Sequence, residues 1–226
     1  IAKTFDQDFA SISADAFLSY LQKELPSLKA IYVGQNFRFG QGRIGDIQTL
    51  IESGSALGID VWSIDRIKQN GLPISSTRIR EALRAGHVDL VNGLLGYRYI
   101  SNGMIIKGAQ LGTKMGFPTM NLLWSPECKP RYGVYAVRFL IEGSEHWNNG
   151  IANFGVRPTV TDGSSVEPLL EVHSLEDCQC DVGDKIRVEW VSFIRDEKQF
   201  DSVDVLKKQI SEDCEFVKNL LSDSDG

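Results

Sequence analysis

Glycines recur at positions 103, 108, 112 and 116 and lead directly into Phe117-Pro118-Thr119-Met120-Asn121. Without a Cβ, such a segment can bend sharply and bring backbone N–H groups against phosphate oxygens. Lys114 adds a mobile cation inside the loop. Thr119 supplies a hydroxyl of the kind that binds magnesium beside a nucleotide phosphate, and Asn121 supplies an amide oxygen. The order Thr113-Lys114 is not that of a Walker A loop, and no helix obviously follows. On spacing alone the segment is either a set of glycine-rich β-turns or a phosphate cradle built on Gly108, Gly112 and Gly116.

Glu171 is the second chemical candidate. In Leu169-Leu170-Glu171-Val172-His173 a strand period puts Leu170 and Val172 on one face, and Glu171 with His173 on the other. That second face is either a solvated surface or a pocket wall on which Glu171 could act as general base toward a hydroxyl. Two shorter signals lie upstream. Asn36-Phe37-Arg38-Phe39-Gly40 follows an apolar run, where open α/β sheets commonly meet ligands. Ser75-Ser76-Thr77-Arg78-Ile79-Arg80 sets hydroxyls and arginines at a predicted helix start, which suits an anion and equally a plain capped helix.

The elements that must position these residues fall into two styles. Up to about Gly96, helix and strand patterns alternate. Ser13 can cap a helix bearing Phe17, Leu21 and Leu25, Ala30 to Val33 reads as a buried strand, and Ile47, Leu50 and Ile51 mark a helix after Asp46. Val61 to Ile64 reads as a second strand, followed by helices on Ile79, Ala82 and Leu83 and on Val88, Val91 and Leu95. Such alternation predicts a parallel α/β sheet. Beyond Gly96 short strands and turns take over. Val134 to Leu140 alternates, and Ile186, Val188 and Trp190 alternate with Arg187 and Glu189, which predicts an antiparallel barrel or sandwich. A final helix, capped by Asp201 or Ser202, carries the stripe Val203, Leu206, Ile210, Cys214, Val217 and Leu221. Two domains, 1–96 and 97–226, are expected to join near Leu95 to Tyr99.

Composition narrows the function classes. Residues 1–96 hold ten Lys/Arg and ten Asp/Glu, whereas 97–226 hold fourteen and twenty, so the net charge of −6 belongs to the second part. That balance disfavours a nucleic-acid surface, which carries a basic stripe. No run approaches bilayer-spanning length and nothing argues for export, so the expected address is the cytoplasm, with no membrane partner. Cys128, Cys178, Cys180 and Cys214 are too scattered for a disulfide scaffold, and the Cys178-x-Cys180 pair has no second pair to complete a zinc set. Nothing in the sequence fixes an oligomeric state.

Taken together, VGQNFRFGQGRIGD (33–46), ISSTRIREAL (74–83), GAQLGTKMGFPTMNL (108–122), RYGVYAV (131–137), GIANFGVRPT (150–159), LEVH (170–173) and IRDEKQFDS (194–202) resemble the bifunctional bacterial riboflavin kinase/FAD synthetase family. The resemblance covers nearly the whole chain, in the family's order. It implies a nucleotidyltransferase-like, Rossmann-like first part, then a six-stranded antiparallel barrel with a C-terminal helix. It also implies phosphorylation of riboflavin by ATP to FMN, with Mg2+ and phosphates held by Thr119 and Asn121. Glu171 would be the base, and the loop carrying Gly108, Gly112, Lys114 and Gly116 would cover the nucleotide phosphates. Asn36, Ser76, Thr77 and Arg78 match the family's adenylyltransferase motifs, which serve the conversion of FMN and ATP to FAD. Met120 stands where the family usually has alanine, and Lys114 where arginine or lysine occurs. The family's His-x-Gly-His motif is not within these residues, so adenylyl transfer is expected only of a full-length protein. The competing expectation is a flavin-binding or regulatory protein that has lost turnover.

Overall fold

The computed structural model describes residues 2–108, 111–156 and 168–222. Ala109 and Gln110 of the glycine segment, and the Arg157-Pro158-Thr159 end of the 150–159 motif, lie outside the described residues. The chain divides into two compact units, Ile1–Ile74 and Ser75–Gly226.

In the first unit, helices α1 (Gln7–Ala10) and α2 (Ala14–Glu24) precede strand β1 (Ala30–Gly34). Helix α3 (Ile47–Leu57) and strand β2 (Asp60–Ile64) follow. A small hairpin, β3 (Lys68–Gln69) and β4 (Leu72–Pro73), turns through Asn70 and Gly71, both at positive φ as a tight two-residue loop requires. β1 and β2 pair in parallel from Ala30↔Asp60 to Gly34↔Ile64, as the alternating pattern predicted. The predicted cap at Ser13 forms, its Oγ accepting from Ala16 N at 3.3 Å, and Asp46 caps α3, its Oδ1 accepting from Thr49 N at 3.0 Å. Phe17 and Leu21 of α2 pack half-buried against the core, as expected. Ala14 and Leu18 are the helix's buried positions, while Leu25 is only the C-cap. They meet Val33, Phe39, Leu50 and Ile59 in one apolar cluster.

The second unit opens with α4 (Ser76–Ala85) and α5 (Val88–Leu95), with Ser75 capping α4 through Arg78 N at 3.2 Å. Strands β5 (Tyr99–Ile106), β6 (Met120–Leu123), β7 (Gly133–Ile141), β8 (Asn148–Val156), β9 (Pro168–Ser174) and β10 (Lys185–Arg195) form a closed antiparallel barrel in the order β10-β5-β6-β9-β8-β7. A short helix α6 (Leu111–Met115) interrupts the glycine segment, and α7 (Val203–Ser222) ends the fold. The barrel expected from the family resemblance is thus present.

The barrel is filled. Trp190, Tyr135, Phe139, Phe154, Leu170 and Val172 are wholly buried inside it, and Trp190 Nε1 donates to Ser101 Oγ at 2.9 Å. Each such side chain contributes roughly 1.5–3 kcal/mol of burial, so the interior serves stability rather than ligand binding. The helices before the barrel join this core: Val88 packs inside it, and Asn92 donates to the Trp190 carbonyl at 2.9 Å and accepts from Tyr99 N at 2.7 Å. On the outer face, Cys214, Val217 and Leu221 of α7 cover Val134, Ala136 and Ile151. Ser202 caps α7 by accepting from Val205 N at 3.3 Å, and Val203 stays 57% exposed, outside the buried stripe.

α7 is also pinned by charge. Arg195 of β10 donates to Asp213 Oδ2 from Nε at 2.9 Å and from its terminal nitrogen at 2.7 Å, with side chains only 15% and 6% exposed. Removing one member leaves a buried uncompensated charge, so Asp213→Ala is expected to lower the unfolding free energy by about 3–5 kcal/mol in urea denaturation. A loss below about 1 kcal/mol would show that the pair behaves as a solvated surface bridge.

Candidate active site

The glycine segment becomes sheet at β6, and cross-strand register then decides which polar groups meet. β6 pairs with β9 so that Asn121 stands opposite Glu171, and β9 pairs with β8 so that Glu171 stands opposite Asn153. Directly opposed residues share a face with Cβ atoms roughly 4.5–5.5 Å apart. Asn121, Glu171 and Asn153 therefore form a polar row across three strands. Their neighbours Met120, Leu122, Ala152, Phe154, Leu170 and Val172 point into the barrel. The row lies on the outside of a packed core, with Glu171 and His173 on the face opposite Leu170 and Val172, as the strand period predicted.

Two cavities adjoin this row. The larger, about 720 Å³, is lined by Lys107, Gly108, Thr113, Thr119 and Asn121 and by the chain from Ser174 to Cys178. The smaller, about 430 Å³, lies between the barrel strands and α7; Glu171 and Asn153 line it beside Phe117, Phe200, Leu206 and Ile210. Thr119 and His173 line both, so they partition one cavity from the other. His173 is held in place: its Nδ1 lies 2.7 Å from the Pro118 carbonyl, and Phe117 meets its ring edge-on at 5.6 Å. A carbonyl only accepts, so Nδ1 carries the proton of this bond.

Two glycines are required here by space rather than by flexibility. A Cβ on Gly108 would run into the carboxamide of Asn121, and one on Gly112 into the Phe117 carbonyl. The loop backbone thus lies against Asn121 of the larger cavity and Phe117 of the smaller. Phe117 N donates to Gly112 O at 2.9 Å, and Asn121 Nδ2 to Thr119 O at 3.4 Å, which hold the turn before β6.

Within the second unit the structure brings Gly108, Gly112, Thr119, Asn121 and Glu171 around the two cavities and leaves Lys114 and Gly116 outside them. Lys114 is exposed on α6 and Gly116 follows its end; neither lines either cavity. Lys107, which directly precedes Gly108, does line the larger one, and the sequence reading passed over it. Asn153 was passed over too, although its place between inward-facing Ala152 and Phe154 marks it as outward. Asn36 is exposed in the turn after β1, within the first unit. Ser76 and Thr77 are exposed and Arg78 half-buried in the first turn of α4, within the second unit.

Among the described residues no group of three or more His, Cys, Asp and Glu side chains could hold a metal ion. A metal in the larger cavity would depend on the hydroxyl of Thr119, the carboxamide oxygen of Asn121 and oxygens brought by a ligand. Hard oxygen donors of that kind, few in number, fit Mg2+, which keeps waters and phosphate oxygens in its shell. The residues present fit such an ion.

Comparison with known proteins shows the family. The family model for riboflavin kinase matches residues 95–221, and that for FAD synthetase matches residues 1–78. The bifunctional riboflavin kinase/FMN adenylyltransferase of Escherichia coli K12 is 38% identical over 209 residues, covering 92% of this chain. The chain spans 66% of that relative's length. The Haemophilus influenzae protein of the same name is 36% identical over 218 residues, covering 96% of this chain and 70% of the relative. A crystal structure of a macrolide-efflux protein from Streptococcus pneumoniae superposes with a TM-score of 0.83 at 30% identity, covering 95% of this chain and 68% of that one. That name describes the streptococcal protein; among the described residues here no helix is long and apolar enough to cross a membrane. By the matched family models and the identity carried across both of its units, the chain belongs to the bifunctional riboflavin kinase/FMN adenylyltransferase family.

Proposed function

We propose that the second unit phosphorylates riboflavin, transferring the γ-phosphoryl group of ATP to the ribityl 5′-hydroxyl to give FMN and ADP. The observation that supports this most is the shared wall: Thr119 and His173 stand between a cavity lined by Lys107, Gly108 and Asn121 and one lined by Glu171. ATP occupies the larger cavity, with Lys107 and the backbone around Gly108 toward its phosphates. The aromatic and aliphatic lining of the smaller cavity, Phe117 and Phe200 with Leu206 and Ile210, suits the flat isoalloxazine ring. Phosphoryl transfer asks for in-line placement and charge neutralisation more than covalent chemistry. Glu171 orients the 5′-hydroxyl and takes its proton as the oxygen attacks phosphorus. Asn121, opposite Glu171 in register, keeps nucleotide-side and hydroxyl-side groups at a fixed spacing. Thr119 and Asn121 would hold Mg2+, which when bound neutralises phosphate charge.

The division by activity is part of the same proposal: 1–96 belongs to FMN adenylylation and 97–226 to the kinase. The matches at 1–78 and 95–221 support it, and Asn36, Ser76, Thr77 and Arg78 are the nucleotide-contacting candidates of the first activity. FAD formation is proposed for the full-length protein. The proposed address is the cytoplasm and the proposed partners are small molecules, with neither nucleic acid nor membrane among them.

Incubation with riboflavin, ATP and Mg2+ is expected to yield FMN; flavin binding without FMN formation would leave a binding or regulatory protein instead. Glu171→Gln is expected to lower kcat by about a hundredfold or more with little change in nucleotide affinity, and unchanged turnover would remove Glu171 from its role. Thr119→Ala should raise the Mg2+ concentration needed for half-maximal rate, which a magnesium titration reads directly. His173→Ala, losing the bond to Pro118, is expected to lower kcat by about three- to tenfold, the equivalent of one hydrogen bond. His173→Asn, whose amide nitrogen can take the place of Nδ1, should recover most of that loss.

A further inference from the structure

Between β9 and β10 the chain carries Cys178 and Cys180, and both line the larger cavity along with Thr119 and Asn121. Both are free thiols, half-buried, and packed against the barrel's apolar core. The two thiols stand close enough for one to hydrogen-bond the other. The kinase reading uses neither of them.

We propose that Cys178 and Cys180 form a modification site, a dithiol that closes to a disulfide by exchange with a small-molecule disulfide and thereby weakens nucleotide binding in the cavity it lines. The identity of the nucleotide rests on the kinase reading above; the cross-link does not. One cysteine, as thiolate, attacks a sulfur of the external disulfide, whose S–S bond breaks and releases one small thiol. The second cysteine gives up its proton and attacks the mixed disulfide, releasing the other small thiol. The two cysteines lose two electrons and two protons, and the external disulfide gains both. Closure draws the sulfurs from hydrogen-bond contact to about 2.05 Å. At least one must then leave its packing against the core, which disturbs the cavity wall from Glu176 to Asp181.

Charge selects the reagent. Burial holds the Cys178 thiol above its ordinary range, and burial, with Cys178, Asp184 and Asp181 adding to it, pushes Cys180 up to about 11. Attack is therefore slow at neutral pH, and the carboxylates of Glu176, Asp177 and Asp181 around the cavity favour a cationic disulfide over an anionic one.

The test exposes the reduced chain to cystamine, a cationic disulfide, and in parallel to oxidised glutathione, an anionic one. Remaining thiols are trapped by alkylation and the products mapped by mass spectrometry. The expected product has lost two hydrogens, the loss maps to a Cys178–Cys180 link, and it appears faster with cystamine. Affinity for adenylyl imidodiphosphate with Mg2+, measured by calorimetry, should fall by at least about fivefold on closure and return after dithiothreitol. Cys180→Ser should remove both the cross-link and the reversible loss of affinity. Four alkylatable thiols after treatment, a link to Cys128 or Cys214, or a Cys178–Cys180 link with unchanged affinity would each overturn the proposal. Absence of nucleotide binding by the reduced chain would instead refute the kinase reading, while the mapped product still decides whether the cross-link forms.

Discussion

Strand β6 spans only Met120–Leu123, yet it joins β5 to β9 and so closes the barrel. Its pairings run from Met104↔Leu123 to Ile106↔Asn121 on one side and from Met120↔Val172 to Leu122↔Leu170 on the other. Side chains alternate along a strand, so a slip of one residue would turn Asn121 into the apolar core and expel Met120 and Leu122. An unpartnered carboxamide among Phe154, Leu170 and Trp190 would cost several kcal/mol, on the order of 2–7, which no alternative register could offset. The packing of the interior thus sets the register, and the register places Asn121 against Glu171 on the exterior. The chemistry depends on side chains it never touches.

The separation of duties explains the shape of the site. Trp190, with Tyr135 at 4.5 Å and Trp124, Phe154 and Tyr99 at 5.5–6.0 Å between ring centres, occupies the space a hollow barrel would offer a ligand. Cavities can therefore form only where loops or α7 stand off the outer surface. The charge of the chain follows the same logic. An overall balance of −6 does not exclude an anionic ligand, because charges more than about 10 Å from the cavity are largely screened by salt, while Lys107 and the backbone beside Gly108 would act at contact distance.

Much of this was legible in the sequence where one physical constraint acts locally. β9 and β10 showed a period of two because one face of each meets the barrel interior and the other does not. In β7 the alternation separates Tyr135, Val137 and Phe139, which enter the core, from Val134 and Ala136, which meet α7. Caps at Ser13, Ser75 and Ser202 were legible for the same reason, since each depends on a neighbour three residues away. The row Asn121–Glu171–Asn153 was not, because it is a relation between three strands that only closure creates. Lys114 was the cation visible in the glycine segment, but α6 turns it outward, while Lys107 lines the cavity from the end of β5. The fold's identity came from the agreement of distant segments with one family; spacing by itself left Gly108 to Gly116 open between turns and a cradle.

Helices α4 and α5 precede the barrel in sequence but are held by it. Val88 fills part of its core, Asn92 bridges the Trp190 carbonyl and the Tyr99 amide, and Arg131 N donates to Leu83 O at 3.1 Å. The stretch from Ile79 to Leu94, which neither family model covers, is therefore structural mortar of the second unit rather than a tether. The segment Ser76-Thr77-Arg78, proposed for adenylylation, thus rides on a helix anchored in the barrel's own unit, so loosening the barrel would loosen that segment too.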